Sequence, residues 1–274
     1  TSVSSTSVKN LAIPVKFLYT YFLPHFIQFI HIQAVTHIGT SIVPFWHRCK
    51  SVNRKRMKLK RNIVKICSLA LGLAIGVVLI AKVCFELSYD NFYSDEERVY
   101  SIMTGAVRHG EENLSGDRVS GAVAPGFKEF VPGVETATRI TPVFENNSYY
   151  TQDKNKLEAE LVVADTCLFD IFDMHVYTGD PKQVLSQWGK MMVSRTLAEK
   201  LGGIEKAVGQ TLYNESLPKA VFTVEGVFED FPTNSTFRGI DILLAMPTYS
   251  KSSTENWLGN DRYLGYVKLQ EGVD

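Results

Sequence analysis

A run of mostly apolar residues from Ile63 to Phe85 constrains this chain more than any other feature. As a helix, these residues would span about 34 Å at about 1.5 Å per residue, enough to cross a hydrocarbon core about 30 Å thick. The only charges, Lys65 and Lys82, lie near the ends, where long side chains can reach the interface. The alternative, a buried helix of a soluble protein, is usually shorter and polar on one face. No small-x-small cleavage site follows Phe85, so we expect an uncleaved transmembrane helix within residues 57–86.

Charged residues flank this run asymmetrically. A basic cluster precedes it, whereas the first charged side chains after it are acidic, beginning with Glu86 and Asp90. Basic residues accumulate on the cytoplasmic side of membrane helices. The N-terminal flank is therefore predicted to be cytoplasmic, and the chain after about residue 86 to lie across the membrane. The basic cluster comprises Arg54, Lys55, Arg56, Lys58, Lys60 and Arg61.

Small residues recur every four positions within the run, at Ser68, Gly72 and Gly76. A helix places them on one face, where short side chains let another helix approach closely. These three are the predicted helix-packing residues, and the expected partner is another helix of the same assembly.

The zero formal net charge hides a strong asymmetry along the chain. All 29 acidic residues lie at or after Glu86, with 17 of the 29 basic ones, which leaves that part a net charge of −12. An acidic domain without a basic stripe is unsuited to nucleic acid, so we expect no nucleic-acid partner. The cysteines suggest no disulfide framework, because only Cys167 follows the apolar run, while Cys67 and Cys84 lie within it and Cys49 precedes it. Cys167 is predicted to be a buried small residue.

Residues 1–56 differ from the rest of the sequence. They contain no Asp or Glu, yet hold four of the six histidines, and the first Met is Met57. The stretch from Lys16 to Val35 is apolar but interrupted by Pro24. Two interpretations stay open: an additional hydrophobic segment, or a translation start at Met57 preceded by non-native residues. The second is favoured, and no chemistry is assigned to these residues.

Beyond Glu86 the pattern predicts the α+β class, because strands and helices mix without regular alternation. Ser194 is predicted to cap a helix that ends at Gly202. The predicted helices are Val123–Val131, Thr166–Phe172 and Arg195–Leu201. The predicted strands are Val99–Val107, Thr138–Phe144, a hairpin from Tyr149 to Val163 that turns at Asp153, Met191–Val193, Val221–Phe228, Ile240–Met246 and Tyr263–Leu269. Loops are predicted at His109–Ser120 and Asp230–Ser235.

The sequence lacks the common catalytic motifs. It has no phosphate-binding loop, so the chain itself is not expected to hydrolyse ATP. It also has no His-Glu-x-x-His, Cys-x-x-Cys or Gly-x-Ser-x-Gly. We therefore predict no enzyme activity, no catalytic, cofactor-binding or metal-binding residues, and no cofactor.

Other residues with possible chemistry have simpler explanations. His109 and His175 are expected to be solvated. Asp165, Asp170 and Asp173 lack the glycine turn and closing Glu of a calcium loop, and Asp165 is predicted to cap a helix. Four glycosylation sequons lie in predicted loops and would matter only in a eukaryotic secretory pathway. They begin at Asn113, Asn146, Asn214 and Asn234.

Several segments recur in the order of a known family. They are Leu69-Ala-Leu-Gly-Leu-Ala-Ile-Gly, Glu86-Leu-Ser-Tyr-Asp-Asn-Phe-Tyr with Glu97-Arg-Val-Tyr, Val131-Pro-Gly-Val-Glu, Ala164-Asp-Thr-Cys-Leu-Phe-Asp-Ile-Phe-Asp, Gly179-Asp-Pro, Val193-Ser-Arg-Thr-Leu-Ala-Glu-Lys-Leu, Val208-Gly-Gln-Thr-Leu and Val224-Glu-Gly-Val-Phe-Glu-Asp-Phe-Pro-Thr-Asn-Ser. Together they resemble the MacB-like, FtsX-like permeases of ABC transporters, notably the Bacteroidetes type. The resemblance covers about Asn62 to Asp274.

The resemblance implies a periplasmic core domain over residues 87–274. It would have a porter-like lobe next to the membrane and a small inserted α/β lobe at about 147–249. Family permeases continue with three more membrane helices and an ATPase-contacting loop, so the chain is expected to be a truncated permease. The implied function is a permease subunit that couples ATP hydrolysis by a separate ABC ATPase subunit to periplasmic motion. The implied substrate is an antimicrobial compound, a peptide or a lipoprotein.

The resemblance also implies a setting and partners. The setting is the bacterial inner membrane, with residues after about 86 in the periplasm. The partners are the ATPase subunit, a second permease subunit, a periplasmic adaptor and the lipid bilayer. Two alternatives stay open: an FtsX-like regulator of a cell-wall hydrolase, and a single-helix-anchored extracytoplasmic sensor or binding module.

Overall fold

The computed structural model describes residues 6–7, 52–108, 111–142, 148–214, 217–259 and 261–273. These residues belong to two compact units. The helical unit is Leu11–Ser88, and the outer unit is Thr1–Asn10 together with Tyr89–Asp274. Cys49, His109 and Asn146 lie outside the described residues, so the predictions for them stay untested.

The described part of the helical unit is one helix, α1 (Val52–Leu87). Its stretch Arg61–Leu87 is long and apolar enough to cross a membrane, with a mean hydropathy of 2.6 in its most apolar window and none of that window buried. The predicted apolar run therefore lies inside a longer helix. At about 1.5 Å per residue, α1 is about 54 Å long, and the basic cluster continues the same helix instead of forming a separate flank.

The outer unit combines short helices with many strands. Its α-helices are α2 (Val123–Phe130), α3 (Leu168–Ile171), α4 (Pro181–Leu185), α5 (Arg195–Lys200), α6 (Ile204–Ala207) and α7 (Lys251–Thr254), with 3₁₀ turns at Glu96–Arg98 and Met246–Thr248. Its strands are β1 (Thr6–Ser7), β2 (Val99–Ile102), β3 (Thr104–Arg108), β4 (Glu111–Gly116), β5 (Val134–Pro142), β6 (Ser148–Tyr150), β7 (Lys156–Glu158), β8 (Glu160–Ala164), β9 (Val176–Thr178), β10 (Lys190–Ser194), β11 (Thr211–Asn214), β12 (Leu217–Phe228), β13 (Ile240–Ala245) and β14 (Leu264–Leu269).

Most of these strands form one mixed sheet, in the order β1-β2-β14-β5-β8-β13-β10-β12-β11-β6-β7, with β9 paired to β12. The pairs β10–β12 and β8–β13 are parallel, and β5 meets β8 in antiparallel register from Ile140↔Ala164 to Pro142↔Val162. The strands between residues 148 and 245 therefore occupy one contiguous block of the sheet. A separate hairpin pairs β3 with β4.

The central strands are buried on both faces, which explains their continuous apolar runs. In β10, Met191 and Val193 belong to one core cluster, and Met192 between them belongs to the other. β8 follows the same rule, with Leu161 and Val163 in the first cluster and Val162 in the second. The first cluster includes residues of α5, and the second includes residues of α3 and α4.

The mixed α/β class and several local predictions are confirmed. Ser194 caps α5, since its side chain accepts a hydrogen bond from the Leu197 amide at 3.2 Å. Gly202 and Gly203 follow α5 with φ of +100° and +108°, conformations that favour glycine. The predicted β6–β7 hairpin forms, with Lys154 in its turn at φ +61°.

Three predictions around β2 to β4 and β8 are wrong. The single strand predicted at Val99–Val107 is broken at Met103, so β2 joins the main sheet and β3 forms the hairpin with β4. Most of the described part of the predicted loop His109–Ser120 is β4, a polar strand held by backbone pairing without apolar alternation. β8 leaves the predicted hairpin, because its apolar residues require a central position beside β13.

Four single-residue predictions also need correction. Asp165 does not cap a helix: its carboxylate accepts a hydrogen bond from Arg139 Nε at 3.0 Å, which supplies a counter-charge to a guanidinium 9% exposed. Asn214 lies in β11 and is buried, not in a loop, and Asn113 lies in β4. Cys167 is only half-buried. Several predicted segments also shift by a few residues; for example, β12 begins at Leu217 instead of Val221.

Candidate coupling site

The chain enters the outer unit through a short irregular segment just after α1. Asp90 lies in this segment, three residues beyond the last residue of α1, and is only 8% exposed. Its φ is +54°, a left-handed conformation that short polar residues such as Asp adopt at little cost. A buried carboxylate in such a conformation needs hydrogen-bond donors, which the loop after β12 supplies.

Three hydrogen bonds join Asp90 to that loop. The carboxylate accepts from the Thr236 amide at 2.9 Å and from the Thr236 hydroxyl, and the Asp90 amide donates to the Asn234 carbonyl at 3.0 Å. The contact between Asp90 and Thr236 spans 146 residues of sequence. We call Asp90, Tyr93, Asn234, Ser235 and Thr236 the clamp.

Tyr93 and Ser235 form the second half of the clamp. The Tyr93 and Ser235 hydroxyls are 3.2 Å apart and hydrogen-bonded, and Ser235 Oγ also accepts from the Phe237 amide at 3.1 Å. The Ser235 amide donates to the Pro232 carbonyl at 3.0 Å, which closes the turn. The loop therefore has hydrogen bonds of its own in addition to those that join it to the segment after α1.

Aromatic packing anchors the clamp in the second core cluster. The Tyr93 ring lies edge-on to Phe172 at 5.0 Å, and Phe172 contacts Phe237 at 4.7 Å and Tyr266 at 5.0 Å between ring centroids. Edge-to-face aromatic pairs of this kind stabilise a fold by more than their buried apolar area alone would. Burial raises the pKa of Tyr93 well above its ordinary value, so its hydroxyl stays protonated.

A second set of contacts fastens the same segment a few residues later. Lys268 Nζ lies 2.6 Å from the Asp95 carboxylate, and Arg98 lies 3.3 Å from Asp95 and 3.0 Å from Glu135. Lys268 also donates to the Asp170 carbonyl at 3.3 Å. The hydrogen bond from Lys268 holds the pKa of Asp95 below its ordinary value. We call Asp95, Arg98, Glu135 and Lys268 the ionic network.

The predicted helix-packing residues lie together on α1 but meet no described neighbour. A Cβ built on Gly72 or Gly76 would have no heavy atom within 4 Å, within the part of the chain that the structure describes. Ser68 is exposed on the same helix at the same spacing of four. Their role in helix packing stays a prediction.

The residues weighed for metal binding have separate partners. Asp165 pairs with Arg139, Asp170 with Lys182 at 3.0 Å, and Asp173 accepts from the Ser94 hydroxyl at 2.7 Å. Among the described residues no group of His, Cys, Asp and Glu could hold a metal ion. His175 is exposed, as expected, and lies edge-on to Tyr177.

No role is predicted for the clamp residues from the sequence, although most of them lie in two of the family segments. The nearest signal in the sequence is Asp90, a short polar residue five positions after the apolar run, together with an Asn-Ser-Thr loop able to bind backbone groups. Nothing in the sequence paired two segments about 140 residues apart. The tertiary structure alone joins them.

Comparison with known proteins decides the family. The family model described as MacB-like periplasmic core domain matches residues 65–274 of this chain. The chain belongs to this family. MacB-like periplasmic core domains are parts of ABC-transporter permeases, so the chain is a component of a transporter family and not of a classical enzyme family.

One solved structure supports this assignment, and a second is reported beside it. A crystallised domain described as part of a permease protein from Porphyromonas gingivalis is 33% identical, with 66% of this chain and 79% of that chain covered and a TM-score of 0.59. The periplasmic region of MacB from Actinobacillus actinomycetemcomitans is 12% identical, with 65% and 77% covered and a TM-score of 0.46. No curated protein matched in the corresponding sequence search.

Proposed function

We propose that this MacB-like chain is the permease subunit of an ABC transporter, in which a membrane helix and a periplasmic domain move together. The observation that carries the proposal is the clamp, which fixes the first residues after α1 to the loop that follows β12. Along the chain, the end of α1 is joined to the outer unit by residues 88–90. A rigid, buried attachment at this point transmits a displacement of that helix end, whereas a flexible linker would absorb it.

The proposed setting is the bacterial inner membrane. Arg61–Leu87 is long and apolar enough to span it, and the basic cluster on the same helix favours a cytoplasmic N-terminal end. The outer unit would then be periplasmic. Its contiguous block of strands between residues 148 and 245 supports an inserted lobe at about 147–249, within a periplasmic core domain at 87–274.

Topology can be tested by labelling single cysteines in cells. Asp153 is exposed in the β6–β7 turn, which makes Asp153→Cys a suitable reporter, with Lys58→Cys as the matched control on the other flank. The native cysteines are replaced by alanine in both. A membrane-impermeant maleimide should label Asp153→Cys in intact spheroplasts and Lys58→Cys only after permeabilisation. The reverse pattern would contradict the proposed orientation.

The proposed partners are a separate ABC ATPase and a second permease subunit. The face formed by Ser68, Gly72 and Gly76 supports close helix packing, because bulk is missing there and no described residue fills the space. Gly72→Leu should weaken crosslinking between membrane helices of the assembled permease. Ala74→Leu adds similar bulk on another face, about 200° around the helix from Gly72, since a helix turns about 100° per residue. This control variant should not weaken the crosslinking. Equal crosslinking in both variants would mean that this face contacts lipid.

The proposed activity is export of a periplasmic substrate, such as an antimicrobial compound, a peptide or a lipoprotein, driven by the ATPase and assisted by a periplasmic adaptor. The permease purified from its native membrane should retain an ABC ATPase whose hydrolysis rate changes when the permease is removed. A permease that copurifies with a cell-wall hydrolase and no exported substrate would instead support the regulator alternative.

A further inference from the structure

A cleft of about 420 Å³ opens on the outer unit beside the clamp loop. Its lining combines the apolar side chains of Ile140, Val162, Ile240 and Leu264 with polar groups from the loop at 236–239. This volume lies within the usual range for small-molecule sites, and a mostly apolar lining with a few polar groups is typical of such sites. The cleft lies wholly within the outer unit.

Among the charged side chains that line the cleft, basic ones outnumber acidic ones. Arg118 and Arg238 line it together with a single carboxylate, Glu160. The Arg238 side chain is exposed and forms no ion pair with a described residue. Arg118 donates to the Arg262 carbonyl at 3.0 Å and lies 4.0 Å from Asp117, which leaves most of its donors available.

This local charge contrasts with the rest of the domain. The chain from Glu86 onward carries a net charge of −12, whereas two of the three charged side chains that line the cleft are guanidinium groups. The carboxylates of Asp117, beside Arg118, and Asp90, beside Thr236, contact lining residues without lining the cleft themselves. Guanidinium groups bind carboxylates by paired, charge-assisted hydrogen bonds. A cationic ligand would meet two like charges at the cleft and would be disfavoured.

We propose that this cleft binds a small molecule with an apolar body and one carboxylate. The carboxylate contacts Arg238 and Arg118, and the apolar body lies against Ile240 and Leu264. The same chemistry is present in short fatty acids and at the free C-terminus of an apolar peptide. Thr236 lines this cleft and also donates to Asp90, so an occupant would touch a residue of the clamp. The site does not depend on the permease function.

The test uses the full chain in lipid nanodiscs and ligand-observed saturation-transfer NMR. The probes are 4-phenylbutyrate, its neutral alcohol 4-phenylbutan-1-ol and its cationic analogue 4-phenylbutylamine, with empty nanodiscs as the background. Acetyl-Leu-Phe with a free carboxylate and its C-terminal amide distinguish a peptide end from a simple acid. The variants are Arg238→Gln and Arg238→Lys. Arg195→Gln is the matched control, because Arg195 is an exposed arginine of α5 that does not line the cleft.

We expect saturable binding of 4-phenylbutyrate to the wild-type chain, and weaker or absent binding of the alcohol and the amine. Arg238→Gln should weaken binding at least about tenfold, the effect of losing one charge-assisted hydrogen bond. Arg238→Lys should restore part of the affinity, and Arg195→Gln should not change it. Equal binding of acid, alcohol and amine, no binding of the acid, or unchanged affinity in Arg238→Gln would overturn the proposal. Each result is independent of whether the chain acts as a permease.

Discussion

The clamp and the ionic network fasten the same short segment after α1, but they do so with different chemistry. In the clamp, Asp90 and Tyr93 are 8% and 5% exposed, and their partners are loop backbone and hydroxyl groups. In the ionic network, the Asp95 and Glu135 side chains are 40% and 45% exposed, and their partners are charged. The carboxylates of the two attachments therefore differ in their access to water, whereas among their partners Thr236 of the clamp is exposed and Lys268 of the network is buried.

This difference predicts which of the two attachments contributes more to holding the segment after α1 in place. Removing the Asp90 carboxylate takes a charged acceptor away from two Thr236 donors, and hydrogen bonds to a charged group contribute more than neutral ones. Exposed ion pairs contribute little to the free energy of unfolding, because water and salt screen the attraction between the two charges. We therefore expect the clamp to set the geometry of the segment and the ionic network to adjust it.

The largest expected effect comes from Asp90. Asp90→Ala removes the acceptor of the Thr236 amide and hydroxyl and places alanine at φ +54°, which should lower the free energy of unfolding of the outer unit by about 3 kcal/mol. Asp90→Asn keeps one acceptor oxygen and tolerates the left-handed conformation, so about 1 kcal/mol is expected. Urea unfolding of the full chain in nanodiscs, followed by tryptophan fluorescence, measures both. Equal, small losses would show that the clamp is not a buried hydrogen-bonded set.

A smaller effect is expected from the hydroxyl pair of the clamp. Tyr93→Phe keeps the ring on Phe172 and removes only the hydroxyl, which should cost about 1 kcal/mol. Ser235→Ala should cost somewhat more, because the Phe237 amide also loses its acceptor. The double variant should cost less than the sum, since the two hydroxyls share one bond. Strict additivity would mean that the hydroxyls do not interact.

The sequence predicted several helices and strands around this site, but not the contacts that form it. Hydrophobicity and charge located α1, and apolar runs located the central strands β10, β12 and β13, because those signals are local. Ser194 was predicted as a cap from its neighbours along the chain. Asp90 and Thr236 were not connected, because their contact depends on how the sheet orders its strands. Asp165 was mistaken for a cap because its partner, Arg139, lies on another strand.

The ionic network should contribute less than the clamp and should respond to salt. Asp95→Asn is expected to cost under about 1 kcal/mol at low salt, and less at 1 M salt, where the screening length is about 3 Å. Asp90→Asn should show almost the same cost at both concentrations. Urea unfolding at the two salt concentrations tests this prediction. A cost of Asp90→Asn that depends more strongly on salt than the cost of Asp95→Asn would contradict it.

The smallest expected effect is the dependence of the network on pH. The pKa of Asp95 is lower in the folded chain than its ordinary value of about 3.9, so its stabilisation is present above that pH and is lost as the pH falls through the lower folded value. The difference in unfolding free energy between wild type and Asp95→Asn should therefore shrink as the pH falls from 5 towards 3. A difference that grows as the pH falls would contradict a lowered pKa of Asp95 in the folded chain.

If the clamp carries motion from α1 into the outer unit, as proposed, one distance measurement tests this most directly. Spin labels on Asp153→Cys report the separation of two copies of the chain in the proposed complex, reconstituted with the proposed ATPase. The distance is measured with and without ATP, in a background without native cysteines. We expect ATP to shift the distance in the wild-type chain. In Asp90→Ala, with the outer unit still folded, hydrolysis should continue without the shift. An unchanged ATP-dependent shift in Asp90→Ala, or none in the wild type, would contradict the account.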